Sequence, residues 1–135
     1  MPGSLEDVEN YLIKLGRKYE KTTAATPEDA TLLVHASGGG TLIALRAIAP
    51  ILAIHVEIGP EPTTDARRLA LYRRLLELNA EDLMHAAYGL ENGRVVLSAA
   101  LALENLDANE VEATLSDIDL ALARHTESLT HLARD

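Results

Sequence analysis

Imidazole can serve as a general base or a metal ligand near neutral pH, so the five histidines are the first residues to test for chemistry. His35, His55 and His85 fall on stretches that read as strands, while His125 and His131 fall on the last helix. The strand histidines lie opposite or offset from the most apolar faces, so a sheet could make them neighbours. A helical zinc site needs two histidines four residues apart; no pair has that spacing, and His-Glu-x-x-His is missing. They read as partly exposed structural residues, and no metal or cofactor is expected. A second constellation, His35-Ala36-Ser37-Gly38-Gly39-Gly40, puts a histidine and a serine on one side of a strand beside a glycine loop. An activated nucleophile with an oxyanion loop would need such parts. However, Gly-x-Ser-x-Gly is absent, and no helix follows to aim its amides at an anion. The stretch reads as a hairpin turn, because glycine alone enters positive φ freely. Asp117 and Asp119, two apart on a helix, point in different directions and cannot form an acid–base pair. His55 and Glu57 share a strand face without further partners. No catalytic constellation emerges, and the chain is not expected to be an enzyme.

Composition narrows the classes further. The chain has 135 residues, 47% of them hydrophobic, which suits one domain with a single core, residues 1–135. It contains no Cys, which excludes disulfides, thiolate metal sites and cysteine nucleophiles. Twelve Lys and Arg stand against 21 Asp and Glu, a net charge of −9. Phosphate neutralisation requires a basic face, so direct nucleic-acid binding is not expected. Trp and Phe are absent and only four Tyr remain, poor material for base stacking. The charge is uneven: residues 1–74 are neutral, and residues 75–135 hold twelve acids against Arg94, Arg124 and Arg134. That half reads as a solvated acidic face able to steer basic partners. The acidic, polar start does not read as a signal peptide. The longest apolar run, Ala47 to Ile54, contains Pro50 and falls far short of the roughly 18 residues of a membrane span. The expectation is a soluble, cytoplasmic protein with no membrane contact.

Helix and strand signals alternate along the chain. Ser4 with Asp7 forms a capping-box pattern before Leu5, Val8, Leu12, Leu15 and Tyr19, which share one helical face. Lys14, Arg17, Lys18 and Lys21 then form a basic stripe on another face. Residues 22–29, with Pro27, read as a loop. Strands follow over 30–37, 41–48 and 51–58, with Leu52, Ile54, Val56 and Ile58 alternating against His55 and Glu57. Short turns between them imply an antiparallel meander. Thr63 or Thr64 caps a second helix that runs to about Leu78. Residues 83–90 and 94–103 are strands joined by Asn92-Gly93, the dipeptide of a tight hairpin. Asp107 and Glu110 cap a final helix of some 27 residues, with Val111, Leu115, Ile118, Leu122, His125, Leu129 and Leu132 in register. The result is an α+β fold, an antiparallel sheet of about five strands packed with three helices, in the order α-β-β-β-α-β-β-α.

The second helix carries more apolar surface than one docking face needs. Leu69, Leu71, Tyr72, Leu75, Leu76 and Leu78 cover nearly half its circumference, beyond the stripe of roughly 100° that a single contact requires. A second copy of the chain is the economical partner. Leu69, Tyr72 and Leu76 are the candidate self-association residues, with Arg67, Arg73 and Arg74 at the rim, where charge tunes partner choice.

Several stretches also follow a known pattern. Leu75-Leu76-Glu77-Leu78-Asn79 is followed by His85-Ala86-Ala87-Tyr88-Gly89-Leu90-Glu91-Asn92-Gly93-Arg94-Val95-Val96-Leu97. Leu101-Ala102-Leu103 and Leu106-Asp107 then open a long helix. Over residues 64–122 this resembles the type III secretion chaperone-like superfamily, which includes the CesT-type Tir chaperones and the YbjN-like proteins. The resemblance implies a homodimer of small acidic subunits that binds another polypeptide and performs no chemistry. An extended client segment would add strands at sheet edges and fill apolar grooves. Lack of Phe and Trp departs from the aromatic enrichment usual at protein interfaces. Two readings follow: a chaperone-like or YbjN-type, stress-related regulator, or a chaperone dedicated to one secreted effector. A metal protein or enzyme built on the strand histidines is the third alternative.

Overall fold

In the computed structural model, which describes residues 4–26 and 29–134, the chain enters through a capped helix. The first three residues, Pro27 and Glu28 of the expected loop, and Asp135 lie outside the described residues. Helix α1 (Leu5–Lys14) starts where the Ser4 hydroxyl accepts the Asp7 N–H and the Asp7 carboxylate accepts the Ser4 N–H, a complete capping box. It stops earlier than the spacing through Tyr19 predicts. Gly16 takes φ +71°, and the Gly16 and Arg17 N–H groups reach back to the carbonyls of Ile13 and Leu12. That double closure is how a left-handed glycine ends a helix. The released chain becomes strand β1 (Tyr19–Lys21), antiparallel to β2 (Leu32–His35). The expected basic stripe is therefore broken up. Arg17 pairs with Asp119 at 2.6 Å, and Lys21 pairs with Glu9 at 3.1 Å.

Among the described residues the sheet has six strands rather than five. After β2 come β3 (Leu42–Ile48), β4 (Ile51–Pro60), β5 (Ala87–Glu91) and β6 (Arg94–Ala102), in spatial order β1-β2-β3-β4-β6-β5, with every pairing antiparallel. Helix α2 (Asp65–Glu81) connects β4 to β5, and α3 (Ala108–Leu132) follows β6. The α+β class and the order of the elements are those expected. Asn92 at φ +52° and Gly93 at +76° make the two-residue turn of the β5–β6 hairpin.

Two strand ends differ from expectation for one reason. The Asp117 carboxylate accepts the N–H groups of Met84, His85 and Ala86 at 3.2, 2.8 and 3.0 Å. These amides are therefore taken by a side chain, residues 83–86 form a connection, and β5 begins at Ala87. Asp119 likewise accepts the Ser37 N–H at 2.9 Å, beyond the end of β2 at His35. The two aspartates do point apart, and each fastens a loop on one side of α3.

Alternation in the strands separates the faces of the sheet. Leu32, Val34, Ile43, Leu45, Leu52, Ile54 and Leu97 are buried on one side beneath the helices. Leu12 of α1, Leu71 and Leu78 of α2, and Leu115 and Ile118 of α3 complete that core. Residues of opposite parity form a face that, among the described residues, no helix covers.

Candidate functional site

Helix α2 is held to the body by its end as much as by its leucines. Thr64 caps its start by accepting the Arg67 N–H at 3.4 Å. In its last turn, the Asn79 side chain donates to the Tyr88 carbonyl at 3.1 Å and accepts the Tyr88 N–H at 2.7 Å. Asn79 therefore takes the place of a neighbouring strand at the outer edge of β5. Asp82, the C-cap residue, accepts from His125 Nε2 at 2.9 Å, and His125 Nδ1 lies 2.9 Å from the Tyr88 hydroxyl. A carboxylate only accepts, so Nε2 carries a proton toward Asp82, and in the corresponding neutral tautomer Nδ1 accepts from the phenol. Burial, followed by the nearby Asp117 and Asp82 carboxylates, holds the Tyr88 phenol far above its ordinary pKa. The sequence reading treats His125 as partly exposed. Here it is buried and bonded at both nitrogens, and its place in the apolar register of the last helix was the signal for that.

With α2 fixed this way, its leucines divide between two faces. Leu71, Leu75 and Leu78 are buried, whereas Leu69 and Leu76 remain 70% and 69% exposed. Tyr72, half-buried, lies three residues after Leu69 and four before Leu76, so the three form one stripe. The Tyr72 hydroxyl donates to Glu61 at 3.0 Å; desolvation, with that hydrogen bond, raises its pKa. Arg73 borders the stripe, one turn from both leucines, and lies 3.9 Å from Glu77. Arg67 and Arg74 instead lie one turn from buried Leu71, on the other flank of the helix. Arg67 Nη1 donates to the Arg134 carbonyl at 2.7 Å, at the end of α3. The expected rim of three arginines thus reduces to Arg73 beside Leu69, Tyr72 and Leu76.

The open face of the sheet is the second unpartnered surface. Register sets Glu20, Leu33, Ala44, His55, Ser98 and Ala87 in one row across all six strands. Neighbouring rows contain Ile48 with Ile51 and Ala102, and Arg46 with Ala53 and Ala100. Leu42 and Ile48 are 41% and 48% exposed. Small and aliphatic side chains (Ala44, Ala53, Ile51) alternate there with polar His55, Ser98 and Arg46, and the Glu57–Arg94 pair lies toward one end. His35 and His55 share this face. Glu20 lies 3.8 Å from His35 Nε2, and that nitrogen has no hydrogen-bond partner among the described residues. His85 lies in the connection before β5 rather than on a strand. Among the described residues, no three His, Asp or Glu side chains gather as metal ligands.

The sheet is bare on one side, and helix α2 shows a second apolar stripe. The CesT_Tir_1 family model matches residues 1–135. The chain belongs to the type III chaperone family. Solved structures share the fold of this chaperone-family protein. A chain of the heterodimeric ExoU–SpcU complex from the type III secretion system of Pseudomonas aeruginosa superposes with a TM-score of 0.61 at 15% identity. The match covers 93% of this chaperone-family chain and 97% of that one. YbjN from E. coli superposes with a TM-score of 0.59 at 14% identity, covering 95% and 93%. At such identities the likeness is one of fold. Curated proteins give no sequence match. Among the described residues, no helix is long and apolar enough to cross a membrane.

Proposed function

We propose that the protein is a non-enzymatic, homodimeric binding module of the cytoplasm, a single chaperone-like domain that holds a segment of another polypeptide. The observation that carries this reading is the pair of surfaces left uncovered, the apolar Leu69–Tyr72–Leu76 stripe and the open face of the sheet, where aliphatic and polar side chains mix. Monomeric soluble domains rarely expose contiguous apolar patches beyond a few hundred Å². We assign the α2 stripe, edged by Arg73, to self-association, because residues i, i+3 and i+7 on one helix suit packing against their own symmetry mate. The open sheet face and the free edge of β1 are assigned to the client. Asn79 favours β1 over β5 as the edge that accepts an added strand, since it already occupies the backbone of Tyr88. Light scattering at micromolar concentration is expected to give the mass of two chains. A single-chain mass overturns the self-association.

Two biological settings fit such a module. In the first it is a general chaperone-like or YbjN-type regulator. In the second it is dedicated to one effector of a secretion system, a reading favoured by family membership and by the ExoU–SpcU likeness. Gene neighbourhood separates them: secretion-apparatus genes beside this one support the second, and an isolated gene supports the first.

A further inference from the structure

At the end of the sheet nearest the C-terminal turn of α3 lies a pocket of about 220 Å³ that neither surface above uses. Leu71, Val95 and Leu129, all buried, form its walls, and Ile58 lines it where β4 bulges between Glu57 and Gly59. The interior is apolar, but the mouth is cationic. Arg134 lines the opening, and Arg67 is anchored there by its hydrogen bond to the Arg134 carbonyl. Among the described residues neither guanidinium has a carboxylate partner. Arg46 and Arg124 share that state, whereas Arg17, Arg68, Arg73, Arg74 and Arg94 stand within ion-pair distance of a carboxylate. Of the arginines without such a partner among the described residues, Arg67 and Arg134 are the two that meet at one apolar opening.

An apolar cavity favours a hydrocarbon occupant over water, while guanidinium groups favour a carboxylate through charge-assisted, bidentate hydrogen bonds. A ligand meeting both demands has an alkyl tail and one anionic head. The volume exceeds the ~150 Å³ apolar cavity that takes up benzene, so a chain of about eight carbons fits. We propose that this pocket binds a medium-chain monocarboxylate, its tail among Leu71, Val95 and Leu129 and its head at Arg67 and Arg134. The proposal is independent of client binding: a monomeric chain that binds the ligand would refute the reading above and leave this one standing.

Octanoate is the probe, titrated into the full chain and followed through the methyl resonances of Leu and Val. Saturable one-to-one shifts of Leu71, Val95 and Leu129 are expected, with little response to acetate, which lacks the tail. Octan-1-ol, which lacks the charge, should bind about tenfold more weakly, and the Arg67→Gln/Arg134→Gln variant should lose a similar factor for octanoate alone. Equal binding of octanol and octanoate overturns the cationic mouth. Absence of saturable shifts, or shifts centred on Leu69 and Leu76 instead, overturns the site.

Discussion

Replacing Leu76 with Asp separates an interface leucine from a core one. Burying a leucine side chain stabilises by about 1.5–3 kcal/mol, and Leu76, at 69% exposed, has roughly two-thirds of that still to gain. A symmetric dimer buries it twice, so Leu76→Asp should weaken association by about 2–4 kcal/mol, roughly 30- to 1,000-fold in the dimer dissociation constant. Folding of the single chain should change little. A surface substitution typically moves stability by no more than about 0.5 kcal/mol, to which aspartate inside a helix adds a few tenths. Sedimentation equilibrium gives the first quantity, and urea unfolding of the variant at concentrations where it is monomeric gives the second. The expected result is a folded monomer. An unchanged dissociation constant refutes the assignment of the α2 stripe, and a loss of folding equal to the loss of association refutes the separation of its two faces.

Further outcomes follow from the groups that fasten α2 and β5. Tyr88→Phe leaves His125 Nδ1 buried without a donor and should cost about 1–3 kcal/mol in chemical denaturation; no measurable change would mean that the hydrogen bond is absent. Asp117→Ala frees the amides of Met84, His85 and Ala86, so their hydrogen exchange should accelerate while β3 and β4 amides stay protected. Uniform acceleration would place the aspartate in global rather than local stability. Alkaline pH acts through Tyr88: its folded pKa lies above the unfolded value near 10, so the neutral phenol contributes stability in full below pH 10. That contribution falls as pH rises from 10 toward the folded value. Phenolate absorbance should show one tyrosine ionising only with unfolding, and all four ionising before unfolding would contradict this.

Local chemistry made most of the fold legible. The caps at Ser4, Thr64 and Asp107, the Asn92-Gly93 turn and the period-two strands need only near neighbours in sequence, and these appear as read. The departures arise where a distant residue intervenes. Asp117, some thirty positions away, takes the amides that would have extended β5 backwards, and Asp119 holds Ser37 beyond the end of β2. Strand β1 is the exception, because its signal was local: Gly16 between Leu15 and Arg17 is a helix stop, outweighed in the reading by apolar spacing through Tyr19. The excess of leucine on the second helix was visible from spacing. Which flank each arginine takes depends on the burial of Leu71, Leu75 and Leu78 against the sheet, and that sent Arg67 and Arg74 away from the stripe.

The most direct test of the protein-binding account is affinity capture from native lysate, run in parallel with the wild-type chain and a Leu42→Asp/Ile48→Asp variant of the open sheet face. The account predicts one protein retained by the wild type at near-stoichiometric amount and lost with the variant, while both baits remain dimeric. Equal recovery by the two baits, or a wild-type dimer that retains nothing, contradicts it.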